Sequence, residues 1–386
     1  MVTYPSDWKE YKINDVAHIF DNLRIPVTKN QRKAGNIPYY GANGIQDYVS
    51  GYTHDGEFVL IAEDGANDLQ NYPVTYTSGK IWVNNHAHVL AGVNSKADTR
   101  FLAYLLKTVD FSAVLVGGTR AKLNGKTLKN IEVTLPERLN EQQTIASVLS
   151  DFDEHIDNLS ELIEKKKAIR DGALEDLVTG RTRLDGFSGE WESQTINDFI
   201  KIKRGASPRP IESYLTINTD GVNWIKIGDA PRYGKYIEST KERIAPSGAN
   251  RSVMVFPDDF LLSNSMSFGR PYILKVKGCI HDGWLRLYDF QEKADKDFLF
   301  YLLSTQNVQS QYIEAASGSG VQNLNKDVVG EVKVVLPSLT EQQAIAQVLS
   351  AMDEEIESLE VEKEKMLQIK EGAMDDLLTG RVRLKV

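Results

Sequence analysis

The feature that most constrains this chain is a repeat of itself at a distance of 200 residues. Residues 141–184 and 341–384 align without a gap and share 24 of 44 positions. EQQTIASVLS answers EQQAIAQVLS, and DLVTGRTRL answers DLLTGRVRL. A period this long is far above the 20–50 residues of solenoid repeats, so the unit duplicated is a whole domain with its appended segment.

The similarity continues upstream. KADTRFLAYLLKT (96–108) matches KADKDFLFYLLST (293–305), and Leu123-Asn124 and Leu135-Pro136 match Leu324-Asn325 and Leu336-Pro337. At the front, Trp8 with Ile13-Asn14-Asp15 matches Trp191 with Ile196-Asn197-Asp198. The interiors, roughly 20–95 and 203–292, differ almost throughout. Two copies of one scaffold therefore carry two different surfaces, as two readers of different targets require.

Each duplicated segment reads as a long amphipathic helix. In the first, apolar residues fall at Ile145, Leu149, Phe152, Ile156, Leu159 and Ile163, then Ala173 and Leu177. In the second they fall at Ile345, Leu349, Met352, Ile356, Leu359 and Met366, then Ala373 and Leu377. Spacings of four and three make a heptad-like stripe over about 40 residues, or about 60 Å of helix. Asn140 and Thr340, with Gln143 and Gln343 three residues on, have the pattern of N-terminal capping boxes. Gly180 and Gly380 suit left-handed C-terminal caps. Gly172 and Gly372 cost about 1 kcal/mol each relative to alanine; their equivalent placement suggests close backbone approach at a crossing, or else tolerated defects. A stripe of this length needs a partner. The short tether after Gly180 makes an antiparallel pair natural, with a globular domain at each end of a rod; the alternative is that each helix docks on its own domain.

Composition narrows the class. No run approaches the ~18 consecutive apolar residues of a membrane span, and MVTYPSDWKEYK lacks a signal-peptide core, so a cytoplasmic protein is expected. A single cysteine, Cys279, leaves no disulfide framework within one chain. The net charge of -9 argues at first against a polyanionic partner. Yet residues 137–184 carry 11 acidic and 7 basic side chains, and 338–386 carry 11 and 6. These segments hold the whole excess, leaving the globular parts balanced at 32 of each sign. Local basic loops on neutral domains permit DNA binding, while the acidic helices keep their outer faces from it.

A search for catalytic apparatus returns negatives. Gly125-Lys126-Thr127 imitates a phosphate loop, but the pattern needs a glycine where Arg120 stands, and the second copy reads Asn325-Lys326-Asp327. No dinucleotide fingerprint and no Asn-Pro-Pro-aromatic stretch of a base-amino methyltransferase is present. His86 and His88, two apart on a strand, would share a face but lack a third ligand, so a structural or base-contacting role is favoured. Glu63 and Asp64 beside Gly65 read as a turn. What remains is readout chemistry: Asn, Arg, Lys, His and Ser on glycine-rich loops, the side chains that hydrogen-bond base edges and phosphates. The candidates are Tyr39, Asn43, Lys80, Asn84 and His86 in the first domain, and Arg204, Arg209, Lys226, Asn264 and Arg270 in the second.

With these parts assembled, the chain resembles, over its full length, the specificity subunit of a type I restriction–modification system. The duplicated L-P … E-Q-Q-x-I-A-x-V-L-S and D-L-[LV]-T-G-R-x-R-L segments carry the resemblance most specifically. Y-Y-G-A-N-G-I and S-N-S-M-S-F-G-R look like parts of target-recognition domains. The resemblance implies a non-catalytic chain that binds double-stranded DNA, each domain reading one half of a split sequence and the paired helices fixing the gap. It also implies two modification (methyltransferase) subunits docked on the helices, which bring S-adenosylmethionine and methylate adenine, and a restriction (translocase/endonuclease) subunit. The chain itself is expected to hold no cofactor and no metal. A rod of about 60 Å spans at most about 17 base pairs, enough for half-sites one helical turn apart. The two other readings open at this point are a self-sufficient methyltransferase or nuclease and a protein-only coiled-coil scaffold.

The expected fold class is α+β: two globular target-recognition domains with mixed, largely antiparallel sheets, joined by two long antiparallel coiled-coil helices in a pseudo-twofold repeat. The boundaries read as 1–136 for the first domain, 137–184 for its helix, 185–337 for the second domain and 338–386 for the second helix.

Overall fold

A computed structural model describes residues 3–115, 122–231, 234–264, 269–317 and 324–385. The chain divides into two units, Met1–Glu161 with Glu360–Val386, and Leu162–Leu359.

In the first unit the strands are β1 (Trp8–Lys12), β2 (Ala17–Ile19), β3 (Ala34–Gly41), β4 (Gly44–Val49), β5 (His54–Ala62), β6 (Val74–Val83), β7 (Ala87–Gly92) and β8 (Glu132–Pro136). β1 and β8 make an antiparallel ribbon with Trp8 opposite Pro136, so the two ends of the globular part close on each other. The remaining six form one sheet in the order β2-β7-β5-β6-β3-β4. Only the β3–β6 pair is parallel. The outer end of β5 alternates between buried and exposed side chains, and its inner end, Phe58–Ala62, is buried on both faces. Helix Thr99–Lys107 covers the sheet, and its Asp98 cap accepts from the Phe101 N–H at 2.8 Å.

In the second unit the strands are β9 (Glu192–Thr195), β10 (Lys201–Arg204), β11 (Val222–Ile225), β12 (Tyr236–Ile237), β13 (Glu242–Ile244), β14 (Val253–Val255), β15 (Phe260–Ser263), β16 (Pro271–Leu274), β17 (Gly278–Ile280), β18 (Trp284–Tyr288) and β19 (Lys333–Leu336). The closing ribbon recurs as β9 with β19. The interior is built differently, as a five-stranded sheet β10-β18-β15-β16-β12 and a four-stranded sheet β13-β11-β17-β14. The fold is thus α+β with mixed, largely antiparallel sheets in both units, on one frame with two unlike interiors.

The long helices span Leu139–Val178 and Leu339–Leu378, 40 residues each. Each gives its first half to one unit and its second half to the other. In the first unit Ile145, Ala146 and Leu149 share a core with Leu377 and Leu378 from the end of the second helix, under Trp8, Phe101 and Leu105. In the second unit Leu174, Leu177 and Val178 meet Ile345, Ala346 and Leu349 under Phe298, Tyr301 and Leu302. The end of one helix packs beside the start of the other, so the helical segments run antiparallel and also dock on a domain. The two arrangements weighed from the sequence occur together, because one apolar stripe is wide enough to face both neighbours.

The duplicated motifs are explained by this exchange. Gln142 is fully buried; its Nε2 donates to the carbonyls of Lys96 (2.9 Å) and Pro136 (2.7 Å), and its Oε1 accepts from the Asp98 N–H (2.9 Å). Gln342 does the same with Lys293, Pro337 and Asp295. Glu141 is 2% exposed, and the Arg383 guanidinium grips it with Nε at 2.6 Å and Nη2 at 2.8 Å. Arg183 holds Glu341 at 2.6 and 2.8 Å in the same two-pronged way. The E-Q-Q and G-R-x-R-L motifs are therefore two sides of one latch.

Two expectations are corrected. The helices begin at Leu139 and Leu339, so Asn140 and Thr340 lie inside the first turn and are not the caps. The Arg138 carbonyl receives the Glu141 N–H in the first, and Ser338 Oγ receives the Glu341 N–H in the second. Anchoring of the next residues, Glu141 and Gln142, sets the start of the helix in place of capping propensity. Gly172 and Gly372 have nothing within 4 Å of where a Cβ would stand, so no close backbone approach explains them. Gly180 (φ +73) and Gly380 (φ +71) do take the left-handed conformation that ends each helix.

Candidate nucleic-acid interface

Ten side chains were singled out for DNA contact, and the fold sorts them by access. Three are interior. Tyr39 on β3 is 1% exposed; its hydroxyl donates to the Val27 carbonyl (3.2 Å) and accepts from the Val27 N–H (3.0 Å), with the Arg32 guanidinium 4.1 Å from the ring centre. Asn84 is buried where β6 ends and accepts from the His86 N–H at 2.8 Å. Asn264 is buried and its Nδ2 donates to the Asp282 carbonyl at 2.9 Å. These three side chains are buried, and the bonds just given tie each of them to its own chain. Alternation along a strand separates in from out only once the register is known.

In the first domain Asn43 and His86 lie together on one set of loops. Asn43 Nδ2 donates to the Gly65 carbonyl and its Oδ1 accepts from the Asn67 N–H, both at 2.9 Å, tying the β3–β4 turn to the loop after β5. His86 sits exposed in the β6–β7 turn with Nδ1 2.5 Å from Asp64. His88, by contrast, is buried on β7, so the two histidines do not share a face: His86 precedes the strand. Lys80 stands apart on β6, exposed, 4.8 Å over the Tyr52 ring.

Beneath His86 lies an ionic cluster. His88 Nδ1 meets Asp21 at 2.6 Å, and its Nε2 meets the Leu123 carbonyl at 2.8 Å. Arg24 reaches Glu63 at 2.7 Å and Lys122 reaches the same carboxylate at 2.8 Å. Asp21, Glu63 and His88 lie close enough to surround a metal ion. The donor set does not fit one, since both ring nitrogens face acceptors and two cations already occupy the carboxylates. Burial opposes ionisation of Asp21 and Glu63. It is outweighed by the His88 hydrogen bond on Asp21 and by Lys122 and Arg24 on Glu63, so both carboxyls sit below their ordinary range.

In the second domain Arg209 and Lys226 line one cleft, and Arg204 and Asn264 bond the backbone carbonyl of Asp282 in its wall. The cleft's volume is about 790 Å³ and its walls include Ser207, Arg209, Trp224, Lys226, His281 and Asp282. Arg204 Nε donates to the Asp282 carbonyl at 3.2 Å, and Arg209 Nη2 lies 3.4 Å from the Asp282 carboxylate. Lys226 pairs with Glu242 at 2.5 Å. Asn264 supports the same loop from below. Arg270 lies 5.2 Å over the Tyr272 ring. Of the S-N-S-M-S-F-G-R stretch, Ser265, Met266, Ser267 and Phe268 lie outside the described residues. Burial pushes the His281 imidazole below its ordinary range, against the pull of Asp282. Ser207 donating to the Asp282 carboxylate lowers that group. Asp282 was missed from sequence: His281-Asp282-Gly283 reads as an ordinary turn, and only the fold brings residues 204–209 onto it.

The imitation phosphate loop is a short helix, Gly125–Lys129, capped by Asn124 accepting from the Thr127 N–H at 2.9 Å. Asn325 caps the equivalent helix. Its duplication is structural.

Residues 5–167 and 188–368 both match the family model described as the type I restriction modification DNA specificity domain. The chain belongs to that specificity family. It is 30% identical to a type I restriction enzyme specificity subunit of Haemophilus influenzae over 364 residues, 90% of this chain and 87% of the relative. It is 26% identical to the MjaVIII specificity subunit of Methanocaldococcus jannaschii over 99% of this chain and 94% of the relative. The type I S subunit of Mycoplasma genitalium has the same fold, with a TM-score of 0.66 at 18% identity over 96% of each chain. The family supplies DNA sequence recognition and not catalysis, and the catalytic activities lie in other subunits. Among the described residues no helix is long and apolar enough to cross a membrane.

Proposed function

We propose that this specificity subunit reads a split DNA sequence, residues 1–136 contacting one half-site and 185–337 the other. Residues 137–184 and 338–386 set the gap and dock two modification subunits, to which a restriction subunit adds. The observation that carries the reading is the duplicated latch and ribbon frame holding two unlike loop surfaces. The solvent-facing residues that contact DNA are Asn43, Lys80 and His86 for the first half-site and Arg204, Arg209, Lys226 and Arg270 for the second; Tyr39, Asn84 and Asn264 hold the loops that present them.

The outer faces of the helices support partner docking. They combine the acidic excess with exposed apolar side chains, among them Ile169 and Val361, which a docked partner would cover. One structure similar to this chain, at a TM-score of 0.59 and 15% identity, describes complex assembly of the type I system, which is in keeping with such a role.

Methylome sequencing of a cell carrying the complete system tests the proposal. A methylated motif in two parts with a fixed gap is the expected result; a single continuous motif would overturn the one-domain-per-half-site reading. Gel shifts of the reconstituted complex over a salt series should show affinity falling steeply with salt, as phosphate contacts require.

A further inference from the structure

The cleft of the second domain is lined by two acids, Glu212 and Asp282, beside Arg209 and Lys226, and Asp282 is the one that the loops of the cleft converge on. Gly205 brings the two sides of this arrangement together: a Cβ there would stand 2.0 Å from the His281 carbonyl oxygen, so only glycine allows residues 204–209 to lie against 281–283. Backbone bonds then fix the contact, Gly205 N–H to the Trp284 carbonyl (2.8 Å) and Ala206 N–H to that of Ile280 (3.2 Å). Asp282 becomes the hub. Its carbonyl receives Arg204 and Asn264, its Oδ1 receives the Ser207 hydroxyl at 2.7 Å, and its Oδ2 faces Arg209 at 3.4 Å.

The two kinds of contact differ in strength. The Ser207 bond is short and partly buried. The Arg209 pair is long, and the arginine side chain is 81% exposed, so this ion pair directs the guanidinium but is weak enough to be given up. The neighbouring His281 stands farther from the acid than Ser207 or Arg209, its Nδ1 3.8 Å from the Asp282 carboxylate, and its ring also faces the N–H groups of Ile227 (3.1 Å) and Gly283 (2.8 Å). A carboxylate so placed repels phosphates and accepts from exocyclic amines of bases, which penalises every register except the right one.

We propose that Asp282 is the positioning residue of the second half-site, orienting Arg209 and Ser207 toward base edges and holding Arg209 off the phosphate backbone. This rests on the half-site reading given above.

The test is Asp282→Asn in the complete complex. The isostere keeps an acceptor for Ser207 and removes the charge. The methylome should show a motif degenerate in one half only, with discrimination there reduced about tenfold or more. Binding to a random-sequence duplex should strengthen, and the slope of log affinity against log salt should steepen by about one as Arg209 moves to a phosphate. A merely structural role would weaken specific and random binding alike with no steeper slope, and would overturn the proposal, as would an unchanged motif. Arg209→Ala removes an exposed side chain and leaves folding intact. It should degrade the same half-site, and the double variant should add little to either single change. Additive losses would overturn action through Arg209. A wild-type complex that yields no split motif would instead overturn the half-site reading itself, and this proposal with it.

Discussion

Gln142 and Gln342 carry no charge and no reactivity, yet each ties three backbone groups that no regular element satisfies. Gln142→Ala would leave the Asp98 N–H and the Lys96 and Pro136 carbonyls buried without partners, at a cost of about 3 kcal/mol; urea unfolding of the purified chain at neutral pH measures it. Asp21 and Glu63 give a prediction in pH. Because their folded carboxyls lie below the ordinary values of 3.8 and 4.5, the stability they contribute is present above those values. It is lost as pH falls through the depressed folded pKa. The urea midpoint should therefore drop below about pH 4.5, and Glu63→Gln, which no longer titrates, should drop less steeply over that window. Sequence alone shows neither role: a glutamine and two acids look ordinary until their partners are in view, 46 positions away between Gln142 and Lys96 and 67 between Asp21 and His88.

At the scale of elements, the long helices combine strong anchoring by the latch with open positions six residues before their C-terminal ends. Gly172 and Gly372 sit in helical backbone with open space around them. Alanine at either should stabilise the chain by about 1 kcal/mol, read as a raised urea midpoint with unchanged slope. The latch residues behave oppositely. Arg383→Ala strands Glu141, which is 2% exposed, and should cost about 3 kcal/mol. Arg383→Lys should recover only part of that, because an ammonium cannot match the two-pronged grip. Equal stability of the lysine and arginine chains would contradict the latch. The helix starts show the limit of local signals: Asn140 and Thr340 have cap chemistry, but burial of Glu141 and Gln142 outweighs the roughly 1 kcal/mol a cap provides.

For the whole molecule, a duplicated frame with unlike interiors predicts modular recognition. A chain in which residues 203–292 are replaced by the corresponding loops of a relative, with the frame kept, should change one half of the methylated motif and leave the other half and the gap as they were. Methylome sequencing reads this directly. A change in both halves, or in the gap, would mean that the interiors are coupled through the helices. The charge distribution points the same way: acid excess confined to the helices leaves the domains balanced, so exchanging residues 203–292 leaves the charge of the helices as it was.

Periodicity and repetition by themselves determined the two-copy plan, the 40-residue helices, their glycine ends and the mixed sheet class, because each depends on residues close in sequence or on identity between copies. Tertiary structure alone decided which candidates face solvent. Tyr39 on β3, and Asn84 and Asn264 just past the ends of β6 and β15, have readout chemistry but lie buried, which local sequence does not record. It also decided that Arg183 and Arg383 each serve the start of the other helix, and that Asp282 lies among Arg204, Ser207 and Arg209. Such contacts join residues some 75 to 240 positions apart, and no local pattern records them; they exist only once the core has folded and brought the loops together.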